Sequence, residues 1–249
     1  MLAAGIPAAL AMCATPADTR MTATYDRLSA RLLGKLAALD QDSTWWVGIG
    51  GGPGAGKSTL AASICARLNA AAGAEVSVVL PMDGFHYSRE RLRELDPPEA
   101  AAFLPRRGAP WTFDAEGLCT AFAEAKAGGA ATLPTYSRVL SDPVPGGVEL
   151  RRCHRLVLAE GNYLLMKHEA RWAPLMALWD ETWFVSCASP AEQRQRLVLR
   201  HLETWNAEKA RRWGEEEMGA AARADANDVL NMDLIAPCAE HADLQIESL

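Results

Sequence analysis

From Tyr25 the apolar residues fall at Leu28, Leu32, Leu36 and Leu39, a helical period, so the first ordered element is predicted to be an amphipathic helix that Asp40–Thr44 ends. A short apolar run at 45–49 then reads as a buried strand. A Gly-rich turn follows, and next a helix over 57–72 with Leu60, Ile64 and Leu68 on one face and Gly73 as its stop. Further strand-length apolar runs occur at 76–80, 156–159, 182–185 and 243–246, separated by helical segments. That alternation predicts an α/β fold, a doubly wound parallel sheet with helices on both faces. Between the second and third runs lies a long insertion, Pro81–Arg155, punctuated by Pro97, Pro98, Pro105, Pro110, Pro134, Pro143 and Pro145. It is expected to be loop-rich. It also starts at the carboxyl end of a strand, where ligands of open α/β sheets bind, which marks it as functional.

The 249 residues suffice for one α/β domain, expected over 21–249, after an Ala-rich stretch 1–20 that lacks the basic start of a secretion signal and is read as a disordered leader. A net charge of −6 with no sustained Lys/Arg run argues against nucleic acid and against an anionic membrane surface as main partner. The expected ligand is a small molecule. No apolar run approaches the length of a membrane span. The six cysteines show neither CxxC nor Cys/His ligand spacing, so they are read as free thiols in a reducing, cytoplasmic setting.

The strongest chemical signal is GGPGAGKST, comprising Gly51, Gly52, Pro53, Gly54, Ala55, Gly56, Lys57, Ser58 and Thr59, placed between a predicted strand and a predicted helix. Glycines there let backbone N–H groups turn inward around phosphates, and the helix N-terminus adds its positive end. Lys57 is expected to reach the β- and γ-phosphates of ATP and Ser58 to ligate Mg²⁺. The second strand ends in PMDGFHYS, which puts the Asp83 carboxylate at the same edge of the sheet as a base for an acceptor hydroxyl, or makes Asp83–Gly84 a plain turn. Glu160, after the third apolar run, stands where an acid helps to hold Mg²⁺. Ser189, Pro190 and Glu192 form a capping box that starts a helix carrying Arg196 and Arg200 on one face. Glu192 and Arg196 are also spaced as an ordinary ion pair. Trp111 either stacks on a ligand or packs in the core.

These segments in this order, GGPGAGKST, the DGFH of Asp83–His86, the RRGAPWTFD of Arg106–Asp114, LPTYSR and EGNYLL, resemble the uridine kinase, phosphoribulokinase and bacterial pantothenate kinase superfamily. The chain is most similar to the group labelled fructose transport system kinases or nucleoside-kinase-like proteins. The resemblance covers about 45–246. It implies a P-loop NTPase fold with a helical lid at about 205–217, and ATP-dependent transfer of a phosphoryl group to a hydroxyl of a small metabolite. A sugar or a nucleoside is the expected acceptor, with a pantothenate-like alcohol, or a nucleotide-binding regulator or NTPase without acceptor, as alternatives. Carried over by position, Asp83 is the base, Glu160 the acid at Mg²⁺, and Arg196 and Arg200 the arginines at the moving phosphoryl group. Arg107, Asp114 and Tyr136 fall in acceptor motifs, and Asn231 lies in a segment near adenine. His86 either lines the acceptor pocket or is a partly buried structural histidine. Arg138 replaces the His or Asp of relatives and favours an oxygen-rich or anionic acceptor. Related enzymes are often dimers, which leaves a homodimer open as the assembly.

Overall fold

The computed structural model describes residues 20–94 and 103–249. The expected leader up to residue 19, with Pro97 and Pro98, lies outside the described residues. Five parallel strands, β1 (Trp45–Gly51), β2 (Ser77–Pro81), β5 (Leu156–Glu160), β6 (Glu181–Cys187) and β7 (Leu244–Ser248), form one sheet in the order β2-β5-β1-β6-β7. The order reverses about β1, as a doubly wound sheet requires.

Both faces of the sheet are covered, so its central strands are apolar in near-continuous runs rather than alternately. All five residues of β5 are buried. Val47 and Ile49 of β1 and Leu156 and Leu158 of β5 pack with Leu28 and Leu32 of α1 (Thr22–Ala38) and Leu60, Ile64 and Leu68 of α2 (Lys57–Ala72). Trp46, Val157 and Ala159 point the other way, into a second cluster with Phe122 of α4 (Ala115–Gly128), Tyr163, Trp172 and Trp179. Gly73 ends α2 in the left-handed conformation, as its position after the last apolar residue predicted. At the open edge the Asn69 side chain pairs with both backbone groups of Ser77, donating to its carbonyl at 3.1 Å and accepting from its N–H at 2.8 Å. It thereby covers part of a strand edge that would otherwise pair with another chain.

The insertion is more regular than its prolines suggested. It holds α3 (Arg89–Glu94), α4, and an antiparallel hairpin of β3 (Ala131–Ser137) and β4 (Asp142–Leu150) separate from the main sheet. Pro134 in β3 and Pro143 and Pro145 in β4 fit because a two-stranded ribbon is all edge, and a proline N that faces outward costs no ladder bond. The pairing slips between Leu133 and Thr135, next to Pro134.

The N-cap half of the capping box forms, with Ser189 Oγ accepting from Glu192 N at 3.1 Å and Pro190 opening α5 (Pro190–Leu202), while the Glu192 carboxylate takes Arg196. Beyond it α6 (Ala207–Trp213) lies within the segment expected as a lid. Next come α7 (Glu216–Arg223), a π-helical turn Ala224–Val229 and α8 (Leu230–Ile235). Leu197, Val198, Ala220, Ala224 and Met232 join α5, α7, the π-turn and α8 in a small core of their own. Among the described residues no helix is long and apolar enough to cross a membrane.

Candidate active site

The loop between β1 and α2 places backbone and lysine together. Gly56, immediately before α2, has φ +90°, a conformation that a side chain would strain, and from there the helix N-terminus faces the loop. Lys57 is 7% exposed and donates to Gly52 O at 2.9 Å and to Asn162 Oδ1 at 2.8 Å. Burial lowers its pKa to about 8, against the pull of Glu160 and Asp83. The dry lysine is thus primed for a partner of strong negative charge. Gln193 of α5 donates to Pro53 O at 2.8 Å and fixes the outer side of the loop.

Ser58 Oγ donates to Glu160 Oε1 at 3.0 Å. Burial, and next the charge of Asp83, push the Glu160 carboxyl above the usual carboxylate range. A hydroxyl and a carboxylate side by side form an all-oxygen donor pair of the kind Mg²⁺ requires, with an adjacent carboxylate whose charge calls for a cation. These residues therefore fit Mg²⁺. Among the described residues no group of three or more His, Cys, Asp and Glu is arranged to hold a metal, so such an ion would take its remaining ligands from phosphate and water.

Asp83 lies exposed in a one-turn 3₁₀ segment, Met82–Phe85, at the end of β2. β3 lies directly on this turn, since a Cβ on Gly84 would come 2.1 Å from Pro134 O. His86 Nδ1 is 2.8 Å from Asp83 O, and its ring is 3.9 Å from that of Phe113 and 4.8 Å from that of Tyr136. Burial between these rings lowers the His86 pKa. Asp83, His86 and Tyr136, each singled out in the sequence, thus meet at one place beside Lys57 and Glu160.

Other candidates are placed differently. Arg107 donates to Asp142 Oδ1 at 2.7 Å, to Tyr87 O at 3.0 Å, to Tyr136 Oη at 3.3 Å and to Ser141 O. Its guanidinium is spent on holding the hairpin. Asp114 caps α4, accepting from Gly117 N at 2.9 Å. Asn231 is 2% exposed and accepts from Arg106 at 3.2 Å. Arg196 forms the ion pair with Glu192 at 2.6 Å and also donates to Ser248 Oγ and O, tying α5 to the end of β7. Arg200, one turn on, has a looser contact with Asp228 at 3.9 Å, and its charge acts on Lys57. Trp111 is 38% exposed, with the Arg106 guanidinium 5.4 Å from its ring centre.

Sequence reasoning passed over Asn162 and Gln193. Asn162 lay inside the EGNYLL segment, next but one to Glu160, and so within reach of discovery. Gln193 had no local signal, because its partner is 140 residues away, and Asn227, in the segment that the resemblance sets near adenine, donates to Arg107 O at 2.8 Å. A separate groove of about 620 Å³ between α2, β2 and β4 is lined by Cys65, Asn69, Glu75, Val148, Arg151 and His154 and shares no residue with this cluster.

No protein-family model matches the chain. A protein of Schizosaccharomyces pombe named "Putative uridine kinase C227.14" is 32% identical over 237 residues, 93% of this chain and 94% of that one. This chain belongs to the P-loop kinase superfamily. An "ATP-dependent kinase-like protein notR'" of Aspergillus versicolor is 36% identical over 126 residues, 49% of this chain and 71% of that one. Among solved structures, a "putative fructose transport system kinase" from Silicibacter sp. TM1040 superposes with a TM-score of 0.72 at 34% identity, covering 88% of this chain and 98% of the other. The YFH7 protein of Saccharomyces cerevisiae, at 16% identity and a TM-score of 0.67 over 94% and 99% of the two chains, shares the fold. The protein is an ATP-binding P-loop kinase, and Gly51–Thr59 is its P-loop.

Proposed function

We propose that this kinase transfers the γ-phosphoryl group of Mg-ATP to a hydroxyl of a small metabolite, a sugar or a nucleoside. The observation that carries the reading is the convergence on the P-loop of Asp83, whose charge acts on both Lys57 and Glu160, beneath a hairpin that brings Tyr136 to the same place. An ATP-hydrolysing switch has no need of such a second half.

In this reading the P-loop amides and Lys57 hold the phosphates, while Ser58 and Glu160 would hold Mg²⁺. The ion, when bound, offsets charge on the β- and γ-phosphate oxygens. Asp83 accepts the proton of the acceptor hydroxyl as its oxygen forms a bond to Pγ and the bond from Pγ to the β–γ bridging oxygen breaks, releasing ADP. Arg200 meets the charge on the moving group. Arg196 is better placed as the anchor of α5, since Glu192 and Ser248 already occupy it. Tyr136 and His86 shape the acceptor side.

A coupled assay of ADP release with D-fructose, D-ribose, uridine, cytidine and pantothenate tests the proposal. ADP release that depends on one of these acceptors is expected, with stoichiometric phosphorylated product. Release that no added alcohol changes would point instead to a nucleotide-binding regulator or plain NTPase.

A further inference from the structure

Two of the chain's five histidines meet at the surface, away from the P-loop. The Nε2 atoms of His168 and His241 are 3.1 Å apart, with ring centres 5.2 Å apart and ring planes at 60°. The rings meet by their nitrogen edges, not by their faces. His168 is exposed and His241 half-buried, so water reaches the pair. His241 precedes β7, whose first residue Leu244 pairs with Trp183 of β6, so the pair lies at the amino edge of the sheet. The P-loop follows the carboxyl end of β1, at the opposite edge.

Both histidines stand on segments that packing already fixes. Met166, two residues before His168, and Cys238, three residues before His241, are buried in the same apolar cluster. Just beyond His241 the chain is clamped to β6: Thr182 N donates to Asp243 Oδ2 at 2.8 Å, and Asp243 N donates to Thr182 Oγ1 at 3.0 Å. A hydrogen bond between the two rings is a weak reason for the pairing. One ring must donate and the other accept, an exposed neutral bond contributes little, and the rings repel once both are protonated. A metal ion uses the same geometry better. Imidazole nitrogens bind Zn²⁺ at about 2.0–2.1 Å, so two of them 3.1 Å apart subtend about 100° at the ion. That angle lies between the square-planar and the tetrahedral values, and each ring then keeps its proton on Nδ1. Among the described residues no third His, Cys, Asp or Glu joins them, so water completes the coordination.

We infer that His168 and His241 form a surface site for a divalent transition ion of the Zn²⁺ or Ni²⁺ type, distinct from the oxygen pair of Ser58 and Glu160 that suits Mg²⁺. Imidazole favours such ions, whereas Mg²⁺ requires oxygen. The bound ion cross-links the connection between β5 and β6 to the entry of β7, two segments far apart in sequence, and so stabilises the folded chain.

The test is calorimetric titration of the full chain with ZnCl₂ and with NiCl₂, in excess Mg²⁺ and without nucleotide. One site per chain is expected for at least one of the two ions. His168→Gln and His241→Gln should each weaken it about tenfold or more, at least the loss that removal of a supporting residue brings to a metal site. Saturation with that ion should raise the Tm of the wild type by several degrees and leave both variants unmoved. Without metal the variants should melt within about two degrees of the wild type, as surface substitutions do. His168, the more exposed of the two, gives a variant that leaves the packing untouched. Failure of both ions to bind would overturn the inference, and so would binding that survives both histidine variants. Binding lost instead in Glu160→Gln or in Cys153→Ser would also overturn it, by placing the ion at the Mg²⁺ pair or at an exposed thiol.

Discussion

The side proposed for the nucleotide comes largely from one continuous stretch, Gly51–Thr59, whose side chains and outer carbonyls are already held: Lys57 on Gly52 and Asn162, Ser58 on Glu160, Pro53 O on Gln193. The side proposed for the acceptor is assembled from segments near residues 83–89, 106–114, 133–142 and 223–231, joined by pairs such as Arg107–Asp142 and Arg200–Asp228. One half is a single loop, built largely from adjacent residues. The other is a set of separate pieces, held in place by bonds such as Arg107 to Asp142 and Asn227 to Arg107 O, whose exposed surface can change without disturbing the first. In the proposed reading, specificity for the acceptor resides in residues whose positions depend on tertiary contacts, and fold alone does not decide it.

If the nucleotide half is one unit, its lysine should carry the largest single effect. Lys57→Ala is expected to lower phosphoryl transfer roughly a hundred- to thousandfold, the loss typical of removing one preorganised charge-stabilising donor. Circular dichroism should show the fold retained, since the lost bonds go to Gly52 O and Asn162 only. Near wild-type turnover would remove the P-loop lysine from the mechanism. Asp83→Asn, across the divide, keeps the shape and removes the charge. A fall of roughly a hundredfold in acceptor-dependent turnover, with ATP affinity little changed, is the mark of a general base. A turn-forming Asp83 would be insensitive to the change, because Asn supports the same turn.

The same division explains what could be read from the chain. The strands, α1, α2 and the P-loop follow from apolar periodicity and from a motif whose residues are adjacent, and they lie within a residue or three of where the pattern put them. The hairpin β3–β4 was missed because prolines at 134, 143 and 145 argue against strands, yet a ribbon with two free edges accepts them. Asp83, His86 and Tyr136 were legible as motif residues, but their meeting depends on Pro134 packing over Gly84, which no local signal announces. Asn231 and Arg107, singled out for ligands, also hold the pieces together, through bonds to Arg106 and Asp142 that no local pattern announces.

The two arginines of α5 sharpen the boundary between anchoring and chemistry. Arg200→Ala is expected to lower kcat about tenfold with little change in the KM for ATP, as for a group acting on charge that develops in the transition state. Arg196→Ala should instead cost about 1 kcal/mol of stability by freeing Ser248 and the end of β7, a shift of a few degrees in Tm, with kcat within about twofold. The reverse pattern would return the phosphoryl role to Arg196 and make the Glu192 and Ser248 contacts a resting state.

The smallest effect concerns Asp114, which the resemblance assigns to the acceptor and the structure uses as the N-cap of α4. Two substitutions separate the roles. Asp114→Ala removes both the cap and the charge, so it should cost about 1 kcal/mol of stability under either reading. Asp114→Asn keeps a capping oxygen and removes only the charge, and Asn caps about as well as Asp. If the carboxylate is a cap and no more, the Asn variant should match the wild type in melting temperature and in kcat/KM for the acceptor. If it also binds the acceptor, kcat/KM should fall severalfold at unchanged stability, because a charge-assisted hydrogen bond is replaced by a neutral one. The structure favours the first outcome, since Asp114 Oδ1 is engaged by Gly117 N. A kinetic loss in the Asn variant alone would move Asp114 across the divide, from the frame that holds the acceptor side together to the surface that reads the acceptor.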